Sequence, residues 1–320
     1  MRTAKIVLAG LTAPVLFASV AFAQQSMTGM ITQIDRLNGT IAIQQTQSGT
    51  VGANTGGAQN FKMQDSKLLE NFHAGDRVTY TGFINTLGAY STERLMPAAP
   101  LIKLPPGIAF ETAAAMTMRG LTAAYLLRRI WPLKHRDAIL LHAAAGGLGL
   151  IVSQWARLLG LTVIGTVSSE AKAEVAREHG CDYVIIHGKE DVPTRVREIT
   201  GGEGVAVAYD SVGKDTYASS LDSVRRRGLL VCVGTASGPI PPIEAMQLAI
   251  KGSLFVTRPA LADYIADPVE KEGLAQELFA LVADGSIKIE INQRYRLEQA
   301  AEAHRDLEAR RTTGSSIFVV

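Results

Sequence analysis

The chain has little cysteine, little tryptophan and almost no net charge. Only Cys181 and Cys232 occur among 320 residues, which excludes a disulfide scaffold and a four-cysteine zinc lobe. Lys plus Arg is 32 against 30 for Asp plus Glu, a net charge of +2, so the clustered basic excess of a nucleic-acid binder is missing. No apolar run reaches the roughly 20 residues that span a bilayer. What the chain has in quantity is hydrophobic side chain, 47% of the total, enough for a packed core and unlike a disordered tail. Its 320 residues suit roughly two domains of about 150 each.

Residues 1–23 read as a secretory signal. Arg2 and Lys5 are basic, Ile6 to Val20 is apolar, and Ala21-Phe22-Ala23 has the small-x-small form of a cleavage site. From Gln24 to Thr81 the composition turns to Gln, Thr, Gly and Asn. Met30 to Asp35 alternates, Asn38-Gly39 is a hairpin turn, Thr40 to Ile43 alternates again, and Phe61-Lys62-Met63 follows a loop over Ser48 to Asn60. The stretch TGMITQIDRLNGTIAIQ resembles the small exported barrels of the periplasmic copper-chaperone type. That family's metal site needs clustered His, Trp and Met. Here Met27, Met30, Met63 and His73 are scattered and read as core rather than copper ligands, so no metal site is assigned.

The most informative stretch runs from Asp137 to Ala156. A short apolar strand enters a small-residue turn, Ala144-x-Gly146-x-x-Gly149 with Gly147 and Leu148 inside it, and a helix opens directly after. Small residues let the backbone approach a pyrophosphate, and the free N–H groups at the helix start meet its charge. The next strand, Leu161 to Val167, ends in Ser168-Ser169, where an NAD site carries an acid to hold the ribose 2′-hydroxyl. Two hydroxyls and Lys172 suit a 2′-phosphate instead, so NADPH is preferred over NADH. The bland alternative for Lys172 is a solvated helix lysine.

Helical and strand patterns then alternate: a helix over Ala171 to His179, a strand over Asp182 to Ile186 and a helix over Val192 to Thr200. A strand over Gly204 to Tyr209, a helix over Thr216 to Arg226, a strand over Gly228 to Gly234 and a last strand over Ser253 to Thr257 follow. That alternation predicts an α/β fold with a parallel, doubly wound sheet whose ligand lies at the strand carboxyl ends. Asp210, Ser211, Gly213, Gly234 and Thr235 fall at that edge. His142 reads as a satisfied core histidine, and the two cysteines as buried thiols.

From about Ala74 to Val320 the chain resembles the zinc-free, zeta-crystallin-like quinone oxidoreductases of the medium-chain dehydrogenase/reductase superfamily. The likeness is carried by LGAYSTERLMPAAPLIKLPPGIAFETAAAMTMRGLTAAYLLRR, ILLHAAAGGLGLIVSQWAR, ITGGEGVAVAYDSVGKDT, KGSLFVTRP and QRYRLEQAAEAHRDLEARRTTGSS. The resemblance implies a Rossmann domain with a GroES-like substrate domain, NADPH-dependent reduction of quinones, and a dimer. It implies cofactor contacts at Thr122, Gly146, Gly147, Leu148, Gly149, Ser169, Lys172, Gly234, Arg258 and Gly314. Ala144, Ser211 and Thr235 join them by position, and His187 stands where many members carry the tyrosine of an Asn-Tyr-Arg run. With that tyrosine and arginine gone, NADPH binding is expected to be weaker.

The family's first roughly 75 residues, which build most of the GroES-like domain and carry an Asn and a Tyr beside the quinone, are not found. The exported-type segment stands there instead, meeting the rest near His73 to Tyr80, so the chain reads as a fusion. The expected parts are the leader at 1–23, a small β segment at 24–81, a GroES-like remnant at 82–120, a Rossmann domain at 121–260 and a C-terminal return at 261–320. Three functions compete: an NADPH-dependent quinone reductase, a cofactor-binding relative without turnover, and an exported small-ligand or copper module with a passenger. No catalytic side chain is assigned, because a quinone accepts hydride from the nicotinamide without a metal. The cofactor argues for the cytoplasm and the leader for export.

Overall fold

The computed structural model describes residues 26–35, 40–44, 72–81, 88–309 and 311–320. The leader, the Asn38-Gly39 turn, the loop over Ser48 to Asn60 and the Phe61–Met63 segment lie outside them. Five strands open the chain: β1 (Ser26–Asp35), β2 (Thr40–Gln44), β3 (Arg77–Thr81), β4 (Glu93–Met96) and β5 (Leu101–Lys103). They form one antiparallel sheet in the order β4-β2-β1-β3-β5. Strands from both sides of position 81 therefore share a ladder, with β2 paired to β4 and β3 to β5.

This sheet packs on α1 (Phe110–Arg128), which runs unbroken through position 120. Val78, Thr79 and Tyr80 are all buried, so both faces of β3 are covered. The Thr79 and Thr117 hydroxyls bond at 2.7 Å across the junction. The only charged residues of helix α1 are Glu111, Arg119 and Arg128.

The parallel sheet follows: β6 (Ala138–Leu141), α2 (Gly147–Leu158), β7 (Thr162–Val167), α3 (Glu170–Glu178), β8 (Tyr183–Ile186), α4 (Val192–Ile199) and β9 (Val205–Asp210). Then come α5 (Tyr217–Ser223), β10 (Val224–Cys232), α6 (Ala245–Ile250) and β11 (Phe255–Thr257). Spatial order is β11-β10-β9-β6-β7-β8, every pair parallel. The winding reverses between β6 and β9, which opens a crevice at their carboxyl ends. All six residues of β9 are buried, as expected of a central parallel strand. Local signals start some of the helices. Asp191 accepts from the Thr194 N–H at 3.1 Å, and Asp267 accepts from Val269 and Glu270 at the head of α8 (Pro268–Ala283).

One expected element is corrected. The helix foreseen over Thr216 to Arg226 stops at Ser223, and β10 begins at Val224, which pairs with Val205 of β9. Sheet pairing outcompetes helix propensity there. The irregularity falls at Arg227, with φ +57°, next to Gly228.

After α7 (Leu261–Tyr264) and α8, β12 (Ile291–Arg296), α9 (Ala300–Glu308) and β13 (Ser315–Val319) close the chain, β12 and β13 pairing in parallel. Lys271 of α8 sends its ammonium to the Ala99 and Leu101 carbonyls, tying the antiparallel sheet to the C-terminal helices. Among the described residues no helix is long and apolar enough to cross a membrane.

Candidate functional site

The crevice at the β6/β9 reversal holds a cleft of 180 Å³ whose walls include His142, Gly146, Gly147, Gly149, Ser211 and Val233. Its floor is the turn between β6 and α2. Ala143 sits at φ +54° and lets the chain reverse, and the Gly146 N–H donates to the Ala143 carbonyl at 2.9 Å. Ala144 is fully buried and its N–H donates to the Thr166 carbonyl, holding the turn against β7. A Cβ on Gly149 would lie 2.5 Å from the Ala144 carbonyl oxygen, so only glycine permits this approach of helix and turn. Gly146 caps α2 with no side chain, leaving the first-turn amides of Gly147, Leu148 and Gly149 without a side-chain acceptor. An uncapped helix head over a glycine cradle is the geometry that receives a pyrophosphate.

Gly314, from the far C-terminal segment, joins this floor. It bridges to Gly146, and its N–H donates to the Ala145 carbonyl at 3.2 Å. Gly234 and Thr235 follow β10 on the other wall. The Gly234 N–H donates to the Asp210 carbonyl, and a Cβ there would meet the Ser211 carbonyl oxygen at 2.5 Å. Arg258 spends its guanidinium on the Cys232 and Val233 carbonyls, so it shapes the β10 end. Thr122 donates its hydroxyl to Met118 in its own helix at 2.8 Å.

The remaining expected residues gather beyond β7. Ser169 caps α3, accepting from the Lys172 N–H at 3.4 Å; Ser169 is exposed and Lys172 half-buried. His187 follows β8 and is exposed on its outer side. The acid next to Ser169, Glu170, is drawn to Lys189 at 2.7 Å, and that hydrogen bond holds its carboxyl below the usual range.

Beneath the cleft lies a polar chain that the sequence pattern did not show. Asp210 is buried and accepts from the Val212 and Gly213 N–H groups, from Thr216 Oγ1 and from Ser220 Oγ, the last at 2.6 Å. With its proton committed to Asp210, Ser220 Oγ accepts from His142 Nε2 at 2.8 Å. His142 Nδ1 then accepts from Thr166 Oγ1 at 2.9 Å, and Thr166 Oγ1 accepts from His187 Nε2 at 3.0 Å. This tautomer is assigned from the network. The two imidazoles stack with centroids 5.7 Å apart. Burial pulls the His142 pKa down to about 4, the Asp210 charge opposing and His187 assisting, so the ring is neutral at pH 7. Desolvation lowers His187 as well.

Arg119 was also missed. Its Nε lies 2.8 Å from where a Gly147 Cβ would stand, so its side chain rests against the head of α2. A charge in the otherwise apolar run Met116 to Leu127 was the available signal. The cysteines are inert: burial raises the Cys181 and Cys232 thiols to about 11. Among the described residues no three His, Cys, Asp or Glu side chains form a metal-binding group.

Comparison with known proteins gives the chain its relatives. A family profile described as zinc-binding dehydrogenase matches residues 147–281. The quinone oxidoreductase of Pseudomonas aeruginosa is 50% identical over 251 residues, 78% of this chain and 77% of that protein. The 2-haloacrylate reductase of a Burkholderia species is 44% identical over 254 residues, 78% of this chain and 76% of its own. Among solved structures, Escherichia coli quinone oxidoreductase complexed with NADPH superposes with a TM-score of 0.76 at 38% identity, covering 92% of each chain. A mycobacterial protein complexed with NADPH superposes with a TM-score of 0.78 at 32% identity, over 94% of this chain and 92% of that one.

Proposed function

The chain belongs to the quinone oxidoreductases, the zinc-free branch of the medium-chain dehydrogenase/reductase superfamily, and we propose that it reduces quinones with NADPH. The observation that carries this reading is the pairing of two features: an uncapped α2 head over a glycine cradle, and a β7 end that presents Ser168 and Ser169 without a carboxylate. When bound, NADPH supplies the hydride; a quinone takes it together with one proton from water and leaves as the hydroquinone. The protein's part is binding, orientation and exclusion of water. The Gly147, Leu148 and Gly149 amides receive the pyrophosphate. Ser169, Lys172 and His187 face the 2′-phosphate side, and the Glu170–Lys189 pair keeps the nearby acid from repelling it.

Titrating the chain with NADPH and then adding benzoquinone tests the reading. Saturable binding followed by loss of the 340 nm absorbance, with NADH markedly poorer, is expected. Binding without oxidation marks the non-catalytic relative, and no binding removes the enzyme reading.

We further infer a homodimer. Strand β11 is an open edge of the parallel sheet among the described residues, and Phe255, Ile250 and Met246 beside it are 53%, 79% and 68% exposed. An unpaired edge with apolar neighbours suits a second copy of itself. Light scattering at twice the 34.2 kDa chain mass supports this, and a monomer at micromolar concentration overturns it. Dependence on regenerated NADPH assigns the protein to the cytoplasm. Fractionation tests that, since a chain shortened at Ala23 outside the cytoplasm refutes it.

A further inference from the structure

Helix α1 carries a cation with no acid to balance it among the described residues. Arg119 lies in an apolar stretch between Glu111 and Arg128, and among the described residues no carboxylate stands within ion-pair distance of it. Among the described residues its hydrogen bonds are from one terminal nitrogen, to the Ala115 carbonyl at 3.2 Å and to Ser315 Oγ at 3.4 Å, both long. A guanidinium offers five N–H donors in a planar fork. Nε and the second terminal nitrogen donate to no protein group among the described residues. Neither is sealed from solvent, since the one buried polar side-chain atom there without a partner is the Tyr217 hydroxyl. Burying most of an unbalanced cation is costly unless an anion comes to it. Desolvation accordingly pushes Arg119 below the usual arginine range.

The position of this cation is tightly set. Gly120 meets Leu278 of α8 so closely that a Cβ would stand 2.4 Å from it, which locks α1 in place. On the other side the Arg119 stem lies against Gly147, the first residue of α2, and a Gly147 Cβ would also meet the Gly314 carbonyl at 2.8 Å. The fork is thus held between three segments that converge on the glycine cradle: α1, the α2 head and the start of β13.

We propose that Arg119 is a binding residue for the pyrophosphate of the dinucleotide, adding a charged fork to the neutral amides of the α2 head. The proposal rests on the NADPH reading above. It distinguishes the two phosphate ends of the cofactor: Arg119 serves the diphosphate, while Lys172 and His187 serve the 2′-phosphate on the far side of β7.

The test is equilibrium binding to the full chain by nicotinamide fluorescence, with NADPH and, by competition, adenosine 2′-monophosphate, which lacks the diphosphate. Arg119→Met is expected to weaken NADPH binding about tenfold to a hundredfold, as loss of a charge-assisted pair does. It is expected to leave adenosine 2′-monophosphate within about twofold and to flatten the salt dependence of NADPH binding, and Arg119→Lys recovers most of the affinity. A second measurement needs no variant. Inorganic pyrophosphate is expected to protect Arg119 of the wild type from phenylglyoxal, read by peptide mass spectrometry, and adenosine 2′-monophosphate is not. Unchanged NADPH binding in Arg119→Met, equal loss of both ligands, or no protection by pyrophosphate overturns the assignment while the cofactor reading stands. A wild type that binds no NADPH removes both.

Discussion

Replacing Asp210 by asparagine and by alanine separates the charge of the buried chain from its connectivity. Alanine strips four donors of their acceptor: the Val212 and Gly213 amides and the Thr216 and Ser220 hydroxyls. At about 1 kcal/mol for each buried donor left without its bond, the loss is about 4 kcal/mol. Asparagine behaves differently. Its oxygen keeps Val212, Gly213 and Thr216, while its amide nitrogen, standing at Oδ2, donates to Ser220 Oγ. The Ser220 proton must then turn to His142 Nε2, moving the imidazole proton to Nδ1 and reversing every bond as far as His187. No partner is lost, and a neutral amide is cheaper to bury than a carboxylate, so the cost is about 1 kcal/mol. Urea unfolding with an unchanged slope reads both stabilities, and imidazole 15N shifts read the His142 tautomer. Equal losses in the two variants, or a His142 that stays protonated at Nε2 in Asp210→Asn, would refute the chain as drawn.

Gly149→Ala is expected to weaken NADPH binding at least tenfold and to cost about 1–3 kcal/mol of stability, because the new methyl meets backbone at 2.5 Å with no side chain able to yield; fluorescence titration and thermal melts check it. The His142 pKa falls from 6.5 to about 4 on folding, so the unfolded chain binds the extra proton between those values. Stability is then full above pH 6.5 and drops by about 3 kcal/mol as pH falls toward 4, a slope that His142→Asn flattens in urea titrations at each pH. His187 is also held below 6.5 by desolvation, so it is neutral at pH 7 and gains charge only in acid. NADPH affinity is expected to rise as pH falls through that range, with no such rise for NADH or for His187→Gln, measured by titration in matched ionic strength.

Several helix starts and the character of the central parallel strand were open to reading because their causes are local. The Ala144 to Gly149 turn, the Asp191 and Asp267 caps and the apolar run of β9 lie within a few residues of what they control. The absence of an acid after Val167 was equally local, so the preferred cofactor could be expected from the chain alone. Tertiary structure decided whatever depends on partners far away in sequence. Val224 joins a strand because Val205 waits beside it. Strand β1 pairs with β3 some forty residues on, and β2 with β4, making one sheet across a boundary that composition alone had drawn. Likewise no local pattern links Asp210 to His187, since that chain passes through Ser220, His142 and Thr166 on three separate segments. Arg119 became a candidate ligand only when Gly147 and Ser315, distant in sequence, were folded against it. Backbone propensity and turn chemistry act over a few residues, whereas burial, strand register and unbalanced charge are properties of packing and exist only once the chain has closed on itself.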